Sequence, residues 1–273
     1  TLERNETNSN NEKGIFLIED CALSLFSKYG NKINVGSVGD VAIFSFPKSL
    51  PVPDGGALLV NNSHLVKDLK PLKNPDMLEI IRAQLPSVKS GFLRLISRYG
   101  KMHRLSDRST GSLHRLLFNS DAEIFHPIPS SYYYNDNLHS RGISFMTRYL
   151  LSTFDAESII NKRRVNYEII RSALSDELGV EPLFKELPEG VCPLNFPLVV
   201  QDREYLRAYL KEMKIDAGVW WKGYHEAFFW NEYPDACYLK NNVLTLPIHQ
   251  DMNEREMHYV VDNLVKYVKM KRH

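Results

Sequence analysis

The sequence predicts an α/β protein with two domains. Three observations carry that reading. Short apolar runs over 14–18, 40–46 and 56–60 have the length and composition of buried strands. A long helical pattern over 156–178 follows, with apolar Ile159, Ile160, Val165, Ile169 and Ile170 at helical spacing. After it, short strand-like and helix-like runs alternate to the C-terminus, the rhythm of a small α/β or α+β domain. The boundary is therefore expected near Asp155, giving a large domain over 14–154 and a small one over 155–273, after a polar, Asn/Glu-rich lead-in over 1–13.

The elements follow in order. Residues 14–18 read as a strand apolar enough for the middle of a parallel sheet, which implies a preceding N-terminal portion. Residues 21–29 read as a short helix or turn, 40–46 and 56–60 as strands. The prolines and the Gly55-Gly56 pair between these two strands predict a rigid loop, not a helix. Residues 62–69 read as a helix capped by Asn62 or Ser63. Helical tendency over 74–100 is interrupted at Pro86, and 104–140 shows little periodicity. Helices are expected over 143–151 and 156–178. Strands are expected over 194–200, 217–221 and 243–246, with helices over 203–213 and 253–267, the last capped by Asn253. Arg163 and Arg164 read as a solvated helix face, and His249 as a packed turn residue.

Composition narrows the function classes. Of 273 residues, 43% are hydrophobic and 25% charged, enough for a sizeable core. With 34 basic and 33 acidic side chains the net charge is +1, so nothing draws the chain to nucleic acid or an anionic membrane. No apolar stretch approaches a membrane span. The scattered Cys21, Cys192 and Cys237 suit reduced thiols of a cytoplasmic protein. No Cys/His spacing suggests a metal, and there is no Gly-x-Gly-x-x-Gly or Walker pattern.

Chemistry concentrates around Lys48. Ile18-Glu19-Asp20-Cys21-Ala22 closes the first apolar run. Phe44-Ser45-Phe46-Pro47-Lys48 ends the second strand, and Asp54-Gly55-Gly56 opens the third. An acid at a strand end, followed by a lysine beside an acid-Gly-Gly turn, is the layout of a pyridoxal phosphate site. The lysine amine forms an imine with the cofactor aldehyde, and the carboxylate pairs with the pyridinium nitrogen, deepening the electron sink. Ser45, three residues before Lys48, can offer a hydroxyl to the phosphate. Each residue also has a plain structural reading: Asp20 as a helix cap, Lys48 as a solvated lysine, Ser45 as a strand-end serine. Gly55 and Gly56 suit a left-handed turn or close backbone packing.

These segments resemble the DegT/DnrJ/EryC1/StrS family of sugar aminotransferases. The resemblance rests on Ile18-Glu19-Asp20-x-Ala22, Gly36-x-x-Gly39-Asp40, Phe44-Ser45-Phe46, Lys48, Asp54-Gly55-Gly56 and Leu246-Pro247-Ile248-His249. It implies an α/β protein of PLP-dependent transferase fold type I (aspartate aminotransferase-like), with an incomplete large domain and a small C-terminal domain. It implies pyridoxal 5'-phosphate as cofactor, with Asp20 on the ring nitrogen, Ser45 on the phosphate and Lys48 as the imine lysine. It further implies transfer of an amino group, usually from glutamate, to a nucleotide-linked keto sugar for surface polysaccharide or glycoside synthesis, in a homodimer whose subunits share sites.

Departures from the family pattern are specific. Leu23 stands where the family places Gln or His near the ring oxygen. The lysine follows the serine by three residues instead of five, a two-residue deletion. Gly142-Ile143-Ser144-Phe145 replaces a Gly-Tyr-Asn-Tyr-Arg segment, leaving Ser144 where an Asn reaches the neighbouring subunit's phosphate. The family's N-terminal phosphate loop is not found. His225, beside Trp220 and Trp221, is a candidate substrate contact, and Tyr132–Tyr134 suit a dimer interface. The rival reading is a non-catalytic remnant or interaction module of the same fold.

Overall fold

Parallel pairing of two short strands organises the N-terminal part of the chain. The computed structural model describes residues 15–30, 32–75, 140–174, 180–220 and 228–271. These fall into two units. The first contains the described residues up to 75 together with 140–156 and 188–194; the second contains 157–187 and 195–271. On sequence, 188–194 reads as part of the small domain. The structure instead ties it to the first unit, with the Lys28 N–H donating to Gly190 O (2.8 Å) and the Cys192 N–H donating to Ser27 Oγ (3.1 Å).

The strands of the first unit are β1 (Ile18–Asp20), β2 (Lys28–Tyr29), β3 (Ile33–Asn34), β4 (Val41–Ser45) and β5 (Gly56–Val60). β2 and β3 form a small antiparallel ribbon; the others form a sheet in the order β1-β4-β5. β1 runs parallel to β4, with Ile18 opposite Val41 and Asp20 opposite Ile43, and β5 runs antiparallel to β4. The first strand thus begins later than expected. Residues before Ile18 do not join the ladder, although Leu17 O accepts the Asp40 N–H at 2.8 Å. Nor is the run buried: Ile15 is 73% and Ile18 60% exposed, and β1 lies at an edge of the described sheet.

Side chains alternate across a strand, so register assigns the faces. Glu19, Ala42, Phe44 and Leu59 point one way. That face is covered by the turn at 36–39. Ala42 is fully buried there, and Phe44 stands so near Gly36 that a Cβ on the glycine would lie 2.6 Å from Phe44 Cζ. Ile18, Asp20, Ile43, Ser45 and Leu58 point the other way, and Ile18, Asp20, Ile43 and Leu58 are exposed.

The predicted loop after β4 begins with one helical turn, α1 (Phe46–Ser49). Pro47 is compatible with it because a helix's first N–H groups have no internal partner. Asn62 caps a 3-10 helix over Ser63–Asp68, its Oδ1 accepting the His64 N–H at 3.1 Å. Ser144 caps α2 (Phe145–Leu151).

The second unit is built on an antiparallel sheet. β6 (Glu181–Pro182), β7 (Asn195–Val199), β8 (Gly218–Val219) and β9 (Val243–Pro247) lie in the order β6-β7-β9-β8. Its helices are α3 (Ala156–Ala173), α4 (Arg203–Glu212), α5 (Pro234–Asn242) and α6 (Glu254–Lys271). Phe196 and Leu198 of β7 join Leu244 and Leu246 of β9 in the core. Ile170 of α3, Leu206 and Leu210 of α4, and Met257 and Leu264 of α6 pack with them. Each such side chain contributes roughly 1.5–3 kcal/mol on burial. Asn253 and Glu256 cap α6 reciprocally: Asn253 Oδ1 accepts the Glu256 N–H at 3.0 Å, and Glu256 Oε2 accepts the Asn253 N–H at 2.9 Å.

Two expectations about α3 are corrected. Val165 is 53% exposed, not a core residue. Arg163 is 2% exposed, not solvated: its Nε donates to Gln250 Oε1 at 2.8 Å. Asn166 is also fully buried, and its Nδ2 donates to His249 O at 2.9 Å. The polar edge of α3 therefore faces the turn after β9. His249 in that turn is half-exposed, its Nδ1 accepting the Asp251 N–H at 3.3 Å.

Candidate active site

The carboxyl ends of β1 and β4 bring three candidate residues to one edge of one sheet. Asp20 closes β1, Ser45 closes β4, and Lys48 sits in the helical turn that follows. In open α/β sheets this edge is where ligands collect. Asp20 and Ser45 also share the exposed face set by the Asp20–Ile43 register.

Asp20 is exposed, its Oδ1 accepting the Ala22 N–H at 3.1 Å, which turns the chain sharply out of β1. Ser45 is half-buried and occupies the N-cap of α1 without making a side-chain cap bond. Lys48 is the third helical residue after that cap, the position whose backbone N–H a capping hydroxyl can reach. The three-residue gap therefore places Ser45 and Lys48 in one turn. Lys48 itself is exposed.

Behind this edge the chain is pinned by Glu19. Its carboxylate accepts the N–H groups of Gly36 (3.0 Å), Val38 (2.7 Å) and Gly39 (2.6 Å). Burial pushes the Glu19 carboxyl up, but these backbone donors and the Tyr29 hydroxyl outweigh it and hold the group below its ordinary value. On the other side of the turn, Asn61 Nδ2 donates to the carbonyls of Gly36 and Gly39, both at 2.8 Å. Burial first, then the Glu19 charge, raises the Cys21 thiol above its usual value, so this neighbour of Asp20 stays protonated and unreactive.

Asp54 and the two glycines end the Lys48 loop. Gly55 has φ +99°, and a Cβ there would lie 2.6 Å from Ile143 Cγ2. A Cβ on Gly56 would lie 2.3 Å from Phe44 O. Both the left-handed turn and the close packing therefore require glycine. Ser144, assigned on sequence to a cofactor phosphate, is fully buried, and its hydroxyl donates to Asp54 Oδ1 at 2.9 Å. Leu23 is exposed. His225, Tyr132–Tyr134 and nearly all of 104–140 lie outside the described residues.

Glu19, Asp54 and Thr147 are the participants that sequence reasoning misses. Glu19 and Asp54 stand out in the sequence only as members of motifs. Their roles depend on partners 17 to 93 residues distant, and no local pattern announces those. A shallow depression of about 490 Å³ on α6, lined by Asp262, Val265, Lys266, Lys269 and Met270, contains none of the candidate residues. Among the described residues no group of three or more His, Cys, Asp or Glu could hold a metal ion, and no helix is long and apolar enough to cross a membrane.

The chain is similar to known proteins over nearly its whole length. It is 26% identical over 257 residues to the UDP-4-amino-4,6-dideoxy-N-acetyl-beta-L-altrosamine transaminase of Campylobacter jejuni subsp. jejuni serotype O:23/36 (strain 81-176), covering 91% of this chain and 57% of that protein. The chain thus spans little more than half the length of that relative. Among solved structures it resembles a DegT DnrJ EryC1 StrS aminotransferase from Brucella abortus (TM-score 0.54, 19% identity, 94% of this chain and 58% of that one). It also resembles Helicobacter pylori PseC, an aminotransferase involved in the biosynthesis of pseudoaminic acid (TM-score 0.55, 15% identity, 95% and 61%). A third likeness is to Spr1654 of Streptococcus pneumoniae in its PLP-form (TM-score 0.57, 16% identity, 94% and 58%). These likenesses show the fold, which is the α/β fold type I expected from the sequence. The sequence pattern of one family matches residues 7–140 and 150–265, and on that match the chain belongs to the DegT/DnrJ/EryC1/StrS aminotransferase family.

Proposed function

We propose that this chain is the catalytic part of a pyridoxal-phosphate-dependent aminotransferase that moves an amino group from glutamate to a nucleotide-linked keto sugar. The product would serve surface polysaccharide or glycoside synthesis. One observation carries the reading: Asp20 and Ser45 lie on one face at the carboxyl ends of the parallel pair β1 and β4, with Lys48 in the helical turn that follows Ser45. A carboxylate, a hydroxyl with no capping bond and an accessible amine are the donor set that the cofactor needs, so the residues fit it.

Asp20 would hold the protonated ring nitrogen, Ser45 the phosphate, and Lys48 the ring through its amine. When bound, pyridoxal phosphate supplies an electron sink for charge developing beside the substrate nitrogen. Lys48 Nζ would also serve as the base that takes the proton from the substrate carbon and returns it. Homodimer formation belongs to the same proposal, since both Asp20 and Lys48 are exposed in the single chain and a second subunit would exclude water from them.

That same exposure, with Ser144 turned inward onto Asp54, favours the second reading of a non-catalytic module. One experiment separates them. The chain is incubated with pyridoxal phosphate, reduced with borohydride and digested, and the modified lysine is located by mass. Fixation at Lys48 in preference to other lysines supports the enzyme reading. Equal modification of all exposed lysines overturns it in favour of the module.

A further inference from the structure

We infer that Asp54 is a positioning residue for Lys48, acting as a clamp between the lysine loop and the start of α2. The inference rests on the proposed role of Lys48. The loop from Phe46 to Gly55 is closed at its base. Ser45 pairs with Gly56 in the β4–β5 ladder, and the Phe46 N–H donates to Gly55 O at 3.1 Å. Inside it, the Leu50 N–H donates to Phe46 O at 2.8 Å, fixing the turn that carries Lys48.

A loop closed only at its base can still tilt as a body. Asp54 prevents this by holding a segment 90 residues away. Its Oδ2 accepts the Ser144 N–H at 3.1 Å, and its Oδ1 accepts the Ser144 hydroxyl at 2.9 Å and the Thr147 hydroxyl. Ser144 Oγ in turn accepts the Thr147 N–H at 3.2 Å. Ser144 and Thr147 are both fully buried, so these bonds are shielded from competing water. Ile143 packs against Gly55 beside them and leaves no room for a side chain. Two hydroxyls and one backbone N–H donated to one carboxylate thus join the far end of the Lys48 loop to α2. The chemistry of residue 54 is specific, because a carboxylate accepts from three donors at once, which an amide oxygen cannot do equally well.

The test uses the 273-residue chain, its Asp54→Asn and Thr147→Val variants, and Thr147→Ser, which keeps the hydroxyl. Circular dichroism first establishes that each variant is folded. Hydrogen exchange is then followed in peptides spanning Phe46 and Leu50. Pyridoxyl fixation by borohydride is scored as the share on Lys48 relative to Lys28 and Lys67. Asp54→Asn and Thr147→Val should each speed exchange in the loop about tenfold and lower the Lys48 share several-fold, while Thr147→Ser restores both. Unchanged exchange in the folded variants overturns the clamp. Faster exchange with an unaltered Lys48 share also overturns it, because the contact then stabilises without positioning. If Lys48 shows no preference in the unaltered chain, the cofactor reading fails, and the positioning role built on it fails with it. Loop exchange then reports separately whether Asp54 still anchors the loop.

Discussion

Asp20 stands opposite Ile43, and Ser45 follows Ile43 by two residues on the same face of β4. A carboxylate and a hydroxyl from separate strands are thereby held on one surface, with Lys48 one turn beyond. In the PLP-loaded protein, Asp20→Asn should lower the rate of amino transfer on the order of a hundredfold or more, since on the proposed reading it removes the carboxylate paired with the ring nitrogen. Lys48→Ala should abolish transfer and leave borohydride fixation only at the background level of the other exposed lysines. Both side chains are exposed, so unfolding free energies should shift by no more than about 0.5 kcal/mol. A coupled assay with glutamate and a panel of keto-sugar nucleotides, alongside urea unfolding, checks this. Full activity in Lys48→Ala would refute the proposed chemistry.

Glu19 should matter for stability instead. Glu19→Ala leaves three backbone N–H groups of the 36–39 turn without their acceptor and should cost about 1–3 kcal/mol. Its carboxyl lies below the ordinary 4.5 in the folded chain. The stability it contributes is therefore present above about pH 4.5 and is lost as pH falls through the lowered folded value. Thermal unfolding between pH 3 and 7 should show this acid loss in the natural chain and a weaker one in Glu19→Gln.

Tyr267 should impose a limit at the alkaline end. Burial first, then the Asp202 charge, pushes its hydroxyl up to about 12 from an ordinary 10, and the hydroxyl has no hydrogen-bond partner among the described residues. The unfolded chain releases this proton at lower pH than the folded one, so stability falls as pH rises from 10 towards 12. Tyr267→Phe should flatten that fall while holding or slightly raising stability at neutral pH. Urea unfolding at pH 7, 9 and 11 tests both statements; an unchanged slope in the variant rules out Tyr267 as its source.

Asn166 links α3 to the turn after β9. Removing its amide in Asn166→Ala leaves the His249 carbonyl without this donor inside the core edge and should destabilise by about 1–3 kcal/mol. Arg163→Met should be milder in packing, though it removes the donor to Gln250. Calorimetric unfolding of the two variants ranks them, and an Asn166→Ala protein as stable as the parent would show that the contact is dispensable.

Much of the fold is legible in the sequence because local rules and tertiary packing agree. β5 spans the expected 56–60, and β7, β9, α4 and α6 lie within one to four residues of their expected limits. Disagreement arises where a long-range partner decides. The apolar run at 14–18 reads as a buried strand, yet its pairing with β4 begins only at Ile18. Pro47 suggests a loop but tolerates the first turn of a helix. Arg163 reads as solvated because its spacing reveals nothing of Gln250, 87 residues away. α5 escapes notice because Asp235, Lys240, Asn241 and Asn242 leave it no clear apolar stripe. At the candidate site, Asp20, Ser45 and Lys48 are readable from motif order. The Asp54–Ser144 link is not, since nothing near Ser144 distinguishes a ligand hydroxyl from a buried one.

The seven residues from Pro188 to Leu194 belong with the first unit although both flanking stretches belong with the second. Among the described residues the polypeptide therefore changes sides after 156, after 187 and again after 194. A gene fragment starting at Glu157 would carry a tongue of chain whose Gly190 carbonyl and Cys192 amide have lost Lys28 and Ser27, the partners that hold them.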